Sequence, residues 1–141
     1  MSLTWIHEEP PRWDADKERI IGGEPPGTFN LGGMRLQEVV PGEWWRVEHD
    51  GATVGYGWMD IVWGDGEMLL AVDRDHRGEK IGEFILDHLE QEASSRGLRW
   101  LHNLVRGNHP QRDWITDWLL AHGFEITPDD EILRRKVPTA R

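Results

Sequence analysis

An apolar run ends at Val72, and a second apolar-periodic stretch begins at Ile81. Between them lies the charged segment Asp73-Arg74-Asp75-His76-Arg77-Gly78-Glu79-Lys80, with Gly82 as the second residue of the later stretch. A short loop that runs into a helix start can bind an anion. The first helical turn has N–H groups without intrahelical partners and carries the positive end of the helix dipole. Gly78 and Gly82 would let a ligand approach the main chain closely. The side chains alone do not make the segment basic, because Arg74, Arg77 and Lys80 are offset by Asp73, Asp75 and Glu79. Backbone donors would therefore carry most of the attraction. On spacing alone, the same pattern also describes an ordinary strand-to-helix connection.

Several other chemistries have no residues to carry them. The chain has no cysteine, which removes disulfides, thiolate metal sites and cysteine nucleophiles together. There is no HExxH, no GxSxG and no GxxxxGK[ST], and the serines are Ser2, Ser94 and Ser95 alone. No metal site is expected. A formal net charge of −10 argues against nonspecific nucleic-acid binding and would favour a cationic amine or a basic partner, although acidity serves solubility equally well. The opening MSLTWIHEEPPRW lacks a signal-peptide pattern and no apolar run reaches membrane-spanning length, so the expectation is a cytoplasmic protein without a membrane partner.

The elements that would position the charged segment can be read from periodicity. At 141 residues, with 38% apolar residues and nine tryptophans, the chain fits one folded domain over 1–141. Residues 1–42 are rich in Pro and Gly and permit only short elements, among them a two-turn helix from Asp14 to Ile21 capped by Asp14. From Glu43 the pattern turns to strands: EWWRVEH, a turn at Asp50-Gly51, ATVGYGWMDIVW, a turn at Gly64-Asp65-Gly66, then EMLLAV. Ile81, Phe84, Ile85, His88, Leu89 and Ala93 form the stripe of an amphipathic helix ended by Gly97. His88 reads as a boundary histidine bonded to a neighbour. A strand over 99–105, a helix over 110–122 bearing Trp114 and Trp118, and strands over 124–127 and 132–137 complete the order β-β-β-α-β-α-β-β. The class is α/β, with crossover connections that require some parallel pairing in an otherwise antiparallel sheet.

The run AVDRDHRGEKIG resembles the acetyl-CoA signature of the GNAT acyltransferase superfamily, in which Arg or Gln is followed by two residues, Gly, one residue, and Gly or Ala. Arg77 matches the leading Arg and Gly82 the final Gly, while Lys80 stands where the family has its middle Gly. Gly78 and Ile81 fit the frequent Arg-Gly-x-Gly-Ile-Gly form. DGATVGYGWM, EMLLAV and NHPQRDWITDWLLAHGF are similar, in the same order, to other segments of that family, so the resemblance spans about residues 43–126.

The resemblance implies a mainly antiparallel sheet splayed around acetyl-CoA, with 43–137 as the cofactor-binding core. Ala71 and Val72 would offer strand-edge groups to the pantetheine arm, amides from Arg77 through Gly78, Glu79, Lys80 and Ile81 to Gly82 would hold the pyrophosphate, and Asn108 would bond the arm. The implied activity is N-acetyl transfer to a small amine or to an exposed amino group of a protein. A noncatalytic acyl-CoA-binding or partner-binding domain is the alternative, and a homodimer is left open. Glu67 is the candidate general base, with Asp60 and Asp65 comparably placed. Its spacing to Val72 is one residue away from the commonest arrangement, which would turn its side chain over unless a bulge intervenes. The family's usual acid, a Tyr four residues before Gly-Phe, is replaced by Leu119, and the lone tyrosine is Tyr56. His109 and His122 are possible substitutes or surface and capping groups. Trp44, Trp45, Trp58 and Trp63 crowd the sheet, and one or two could wall an acceptor pocket. The abbreviated N-terminal region implies an open site.

Overall fold

Apolar and polar residues alternate through EWWRVEH and ATVGYGWMDIV, and the two stretches fold back on each other. The computed structural model describes residues 2–21, 35–104, 112–127 and 132–138. In it the two stretches are β2 (Glu43–His49) and β3 (Ala52–Val62), joined through Asp50 and Gly51 at φ 51° and 78°. Two successive positive φ values define the tight turn whose twist matches a hairpin. A second such turn, at Trp63 and Gly64 (φ 53° and 80°), leads into β4 (Asp65–Val72). It falls one residue earlier than the glycine spacing predicts, because Asp65 already pairs with Val62 as strand. Trp63, 92% exposed, therefore takes a left-handed position more usual for Gly, Asn or Asp.

The amphipathic stripe becomes α2 (Ile81–Ser95), which buries Ile81, Ile85, Leu86, Leu89 and Ala93. Gly97 at φ 71° follows its end. After it come β5 (Trp100–Leu104), α3 (Arg112–Ala121), β6 (Glu125–Ile126) and β7 (Ile132–Lys136). From Glu43 onward the order agrees with the sequence pattern. Two short elements precede it: β1 (Thr4–His7), which the sequence pattern does not predict, and the expected helix α1 (Ala15–Ile20).

Among the described residues, seven strands form one sheet in the order β1-β2-β3-β4-β5-β7-β6. The β4–β5 pair is parallel and the others are antiparallel. The main core fills the α2 face, with Trp45, Val47, Met59, Met68, Ile85, Leu89, Leu101 and Leu133 all at 2% exposure or less. Gly57 is required there, since a Cβ would lie 2.8 Å from Trp5 and 3.0 Å from Ile85. The opposite face has a smaller core of Trp13, Ile20, Ile21, Trp44, Tyr56 and Ala71, contributed partly by α1. Asp14 caps that helix by accepting from the Lys17 N–H at 2.8 Å. The buried Lys17 ammonium donates to Glu8 at 2.6 Å and to the Arg12 carbonyl at 2.7 Å, tying α1 to the chain beyond β1. Among the described residues, no helix is long and apolar enough to cross a membrane.

Candidate active site

β4 and β5 run side by side for only two residue pairs, Gly66 with Leu101 and Glu67 with His102. Beyond Glu67 the two strands are no longer paired. At that point the buried Asn103 side-chain amide donates to the Met68 carbonyl at 2.9 Å, supplying a ladder bond that the backbone does not make. Among the described residues the result is a fork with an open strand edge along β4.

Strand alternation says which main-chain groups line that edge. Met68 faces β5, so Leu70 and Val72 do as well. The Asp73 N–H donates to Val54 on the other side at 2.8 Å, so Ala71 faces β3. Val72 is thus placed to offer backbone groups in the fork. Ala71 is not: its main chain is turned toward β3 and its side chain is buried in the smaller core. Leu70, rather than Ala71, faces the gap together with Val72.

The open edge leads to the charged segment. Arg74–His76 form one 3₁₀ turn capped by Asp73, whose carboxylate accepts from the Asp75 N–H at 3.1 Å and pairs with Arg19 of α1. Burial by itself would raise the Asp73 carboxyl, but the Asp75 amide and the Arg19 guanidinium outweigh it and hold the group below the usual carboxylate range. Arg77, Gly78, Glu79 and Lys80 are exposed. The Glu79 carboxylate lies 2.8 Å from His76 Nδ1. Gly78 has φ 85°, and a Cβ there would meet nothing within 4 Å, so the approach to the backbone is open. Lys80 is the N-cap of α2, has φ 63°, and makes no side-chain cap bond. The first turn of α2 thus has no side-chain cap, as a backbone anion site needs. A glycine would adopt this left-handed conformation freely, whereas Lys80 does so at a steric cost. Gly82 packs under α3, where a Cβ would lie 3.3 Å from Trp118. These residues fit a ligand with an anionic end at α2 and an extended amide-bearing arm along β4.

Glu67 stands at the crotch of the fork, half-buried, opposite Asp60 on β3 and His102 on β5. β4 pairs with β3 without a bulge, so Glu67 shares its face with Leu69 and Ala71, away from α2. Asp60 is exposed beside it, whereas Asp65 is drawn to Arg99 at 3.4 Å. Tyr56 is 1% exposed beneath α1, and burial, reinforced by the Asp14 and Glu8 carboxylates, pushes its phenol far up. Leu119 lies in the main core. His122 is held by the Trp118 carbonyl at 2.7 Å and lies 3.2 Å from Glu83, and His88 is held by the Phe84 carbonyl at 2.8 Å. Trp44 and Trp45 are core residues on opposite faces, Trp58 is half-buried on the Glu67 face, and Trp63 projects from its turn. Asn108 and His109 lie outside the described residues. Among the described residues, no group of three or more His, Asp or Glu side chains is arranged to hold a metal ion.

Sequence reasoning missed Leu70, His102 and Asn103. Leu70 could have been found from alternation with Val72. The other two depend on the register of β5 against β4, two strands separated by a helix, which no local spacing encodes.

The model of the Acetyltransferase (GNAT) domain matches residues 41–126 of the chain. No protein of curated function matches the sequence. Among solved structures, a Klebsiella pneumoniae subsp. pneumoniae protein assigned to the acyl-CoA N-acyltransferases shares 20% identity at a TM-score of 0.65, over 96% of this chain and 98% of that one. The ribosomal-protein-S18-alanine N-acetyltransferase of Escherichia coli shares 14% at a TM-score of 0.60, over 99% and 97%. The PaiA N-acetyltransferase of Thermoplasma acidophilum, in complex with coenzyme A, shares 18% at 0.55, over 66% of this chain and 59% of its own length. At these identities the likeness is one of fold.

Proposed function

Because the chain belongs to the GNAT acetyltransferase family, we propose that it transfers an acetyl group from acetyl-CoA to an amine, by direct attack of the amine nitrogen on the thioester. The observation that carries this reading is the fork. An uncapped helix start lies at one end, an open strand edge runs between, and the half-buried carboxylate of Glu67 stands at the other end. The donor, when bound, supplies an acyl group on a thiol that is a tolerable leaving group near neutral pH. The amides from Arg77 to Gly82, with the side chains of Arg77 and Lys80, hold its phosphates, and Leu70 and Val72 hold its arm. Glu67 accepts the first proton from the acceptor's ammonium, leaving a neutral nucleophile. Asp60 beside it favours a cationic acceptor, either a small amine or an exposed amino group of a protein. Asn108 is proposed to hold the arm as well.

The noncatalytic alternative draws on one observation: Leu119 has no proton to give, and the Tyr56 phenol is buried beneath α1. A single experiment separates the readings. The purified chain, stripped of coenzyme A, is titrated with acetyl-CoA by calorimetry and then assayed against a panel of amines and peptides. We expect saturable binding that Arg77→Glu weakens about tenfold or more by placing like charge on the phosphates, together with transfer to at least one acceptor. Binding with no transfer to any acceptor would leave the acyl-CoA-binding reading standing. No binding at millimolar ligand would remove both.

A further inference from the structure

One row of ionisable side chains crosses the sheet on the face away from α2. In register it runs Asp60 on β3, Glu67 on β4, His102 on β5, Arg134 on β7 and Glu125 on β6. Arg134 and Glu125 are engaged with each other at 3.4 Å, and the Arg134 guanidinium lies over the Trp100 ring at 4.1 Å. The side chains of Asp60, Glu67 and His102 have no hydrogen bond or ion pair among the described residues.

His102 is unusual among the histidines of this chain. His7 lies between Glu9 and Glu43, His49 is bonded to the Ser2 carbonyl and His76 to Glu79. His88 and His122 are each bonded to a carbonyl of their own helix. Of the six described histidines, His102 alone is uncommitted, and it is half-buried. It also stands at the last paired position before β4 and β5 part. From Val72, beside the helix start, back to Glu67 the strand runs about 17 Å at ~3.3 Å per residue. An extended ligand anchored at α2 and lying along β4 therefore brings its far end to Glu67 and His102. Neighbouring residues on one face of paired strands have their Cβ atoms about 5 Å apart, so both side chains can reach one reacting centre.

We propose that His102 is a proton carrier of the reaction, moving the proton from the attacking nitrogen to the departing sulfur. The inference rests on the acetyl-transfer reading above. An acceptor that arrives as an ammonium has two protons to lose. The first goes to Glu67 and on to solvent. As the N–C bond forms, the second passes to neutral His102. As the C–S bond breaks, His102 returns that proton to sulfur, giving amide and free thiol with the imidazole neutral again. This supplies the acid that Leu119 and Tyr56 cannot provide. The charged groups facing His102 are Glu67 from β4 and Arg134 from β7, with Asp60 and Glu125 one strand further out.

The test uses the full chain with His102→Gln, which keeps polarity but cannot take up and release a proton near neutral pH, and His102→Ala, which opens room for free imidazole. Acetyl-CoA affinity by calorimetry should be unchanged in both. With an acceptor that the wild type uses, kcat should fall about 10²-fold or more while the amine KM holds. Added imidazole should restore His102→Ala but not His102→Gln. A kcat near wild type in His102→Gln would overturn the proposal and leave acetyl transfer intact. So would a loss in His102→Ala that imidazole does not repair, or one explained by lost acetyl-CoA affinity. A wild type that acetylates nothing would remove the underlying reading and this inference with it.

Discussion

Lys80 sits in the left-handed region at φ 63°, exposed, with no side-chain bond to the helix it opens. An L-residue held there costs about 1 kcal/mol relative to glycine. Lys80→Gly should therefore raise unfolding stability in a urea titration by about that amount, opposed in part by glycine's greater freedom when unfolded. The proposed phosphate end has a local signature: Arg77, Gly78 and Gly82 fall within a few residues, and both glycines have geometric reasons visible in the fold. The proposed reacting end has none. Glu67 could be nominated by type and position, and the parity of its side chain could be reasoned, but its neighbour His102 lies beyond α2 in sequence.

At the scale of elements, the short α1 is secured by more than its cap. The Lys17 ammonium has no exposed surface and pairs with Glu8. Without Glu8 the buried ammonium keeps only the longer Asp14 pair at 3.6 Å and the Arg12 carbonyl, so Glu8→Gln should lower stability by about 3 kcal/mol, measured by urea unfolding. The same helix reaches the 3₁₀ turn through Arg19 and Asp73. Because the Asp73 carboxyl is held below its ordinary range, the stability it contributes is fully present above pH ~4, the unfolded value, and is lost as pH falls through the folded one. Asp73→Asn should be less stable at pH 7, and its deficit should shrink on acidification. α3 gives a third expectation. Leu119 is 2% exposed in the main core, so Leu119→Tyr adds a phenol where there is no space and should cost about 1–3 kcal/mol without supplying an acid. Strands, helices and their order were legible from period and turn chemistry. β1 was not, since its four residues become strand only by pairing with β2.

Considered as a whole, the chain divides its interior by a sheet whose two faces do different work. The α2 face is continuous apolar packing. The other is apolar under α1 and ionisable across β3, β4 and β5, with acidic Asp60 and Glu67 on one side of His102 and basic Arg134 on the other. The Asn103 amide fixes where those strands stop pairing. A fork set by the fold rather than by a ligand leaves Leu70 and Val72 with backbone groups that face no β5 partner among the described residues. A ligand that binds only the folded chain must then stabilise it by mass action, by about 2.7 kcal/mol at a hundred times its dissociation constant. The lifetime of this protein in a cell would in that case follow the supply of its own acyl donor, so that starvation for the donor depletes the protein as well as its turnover.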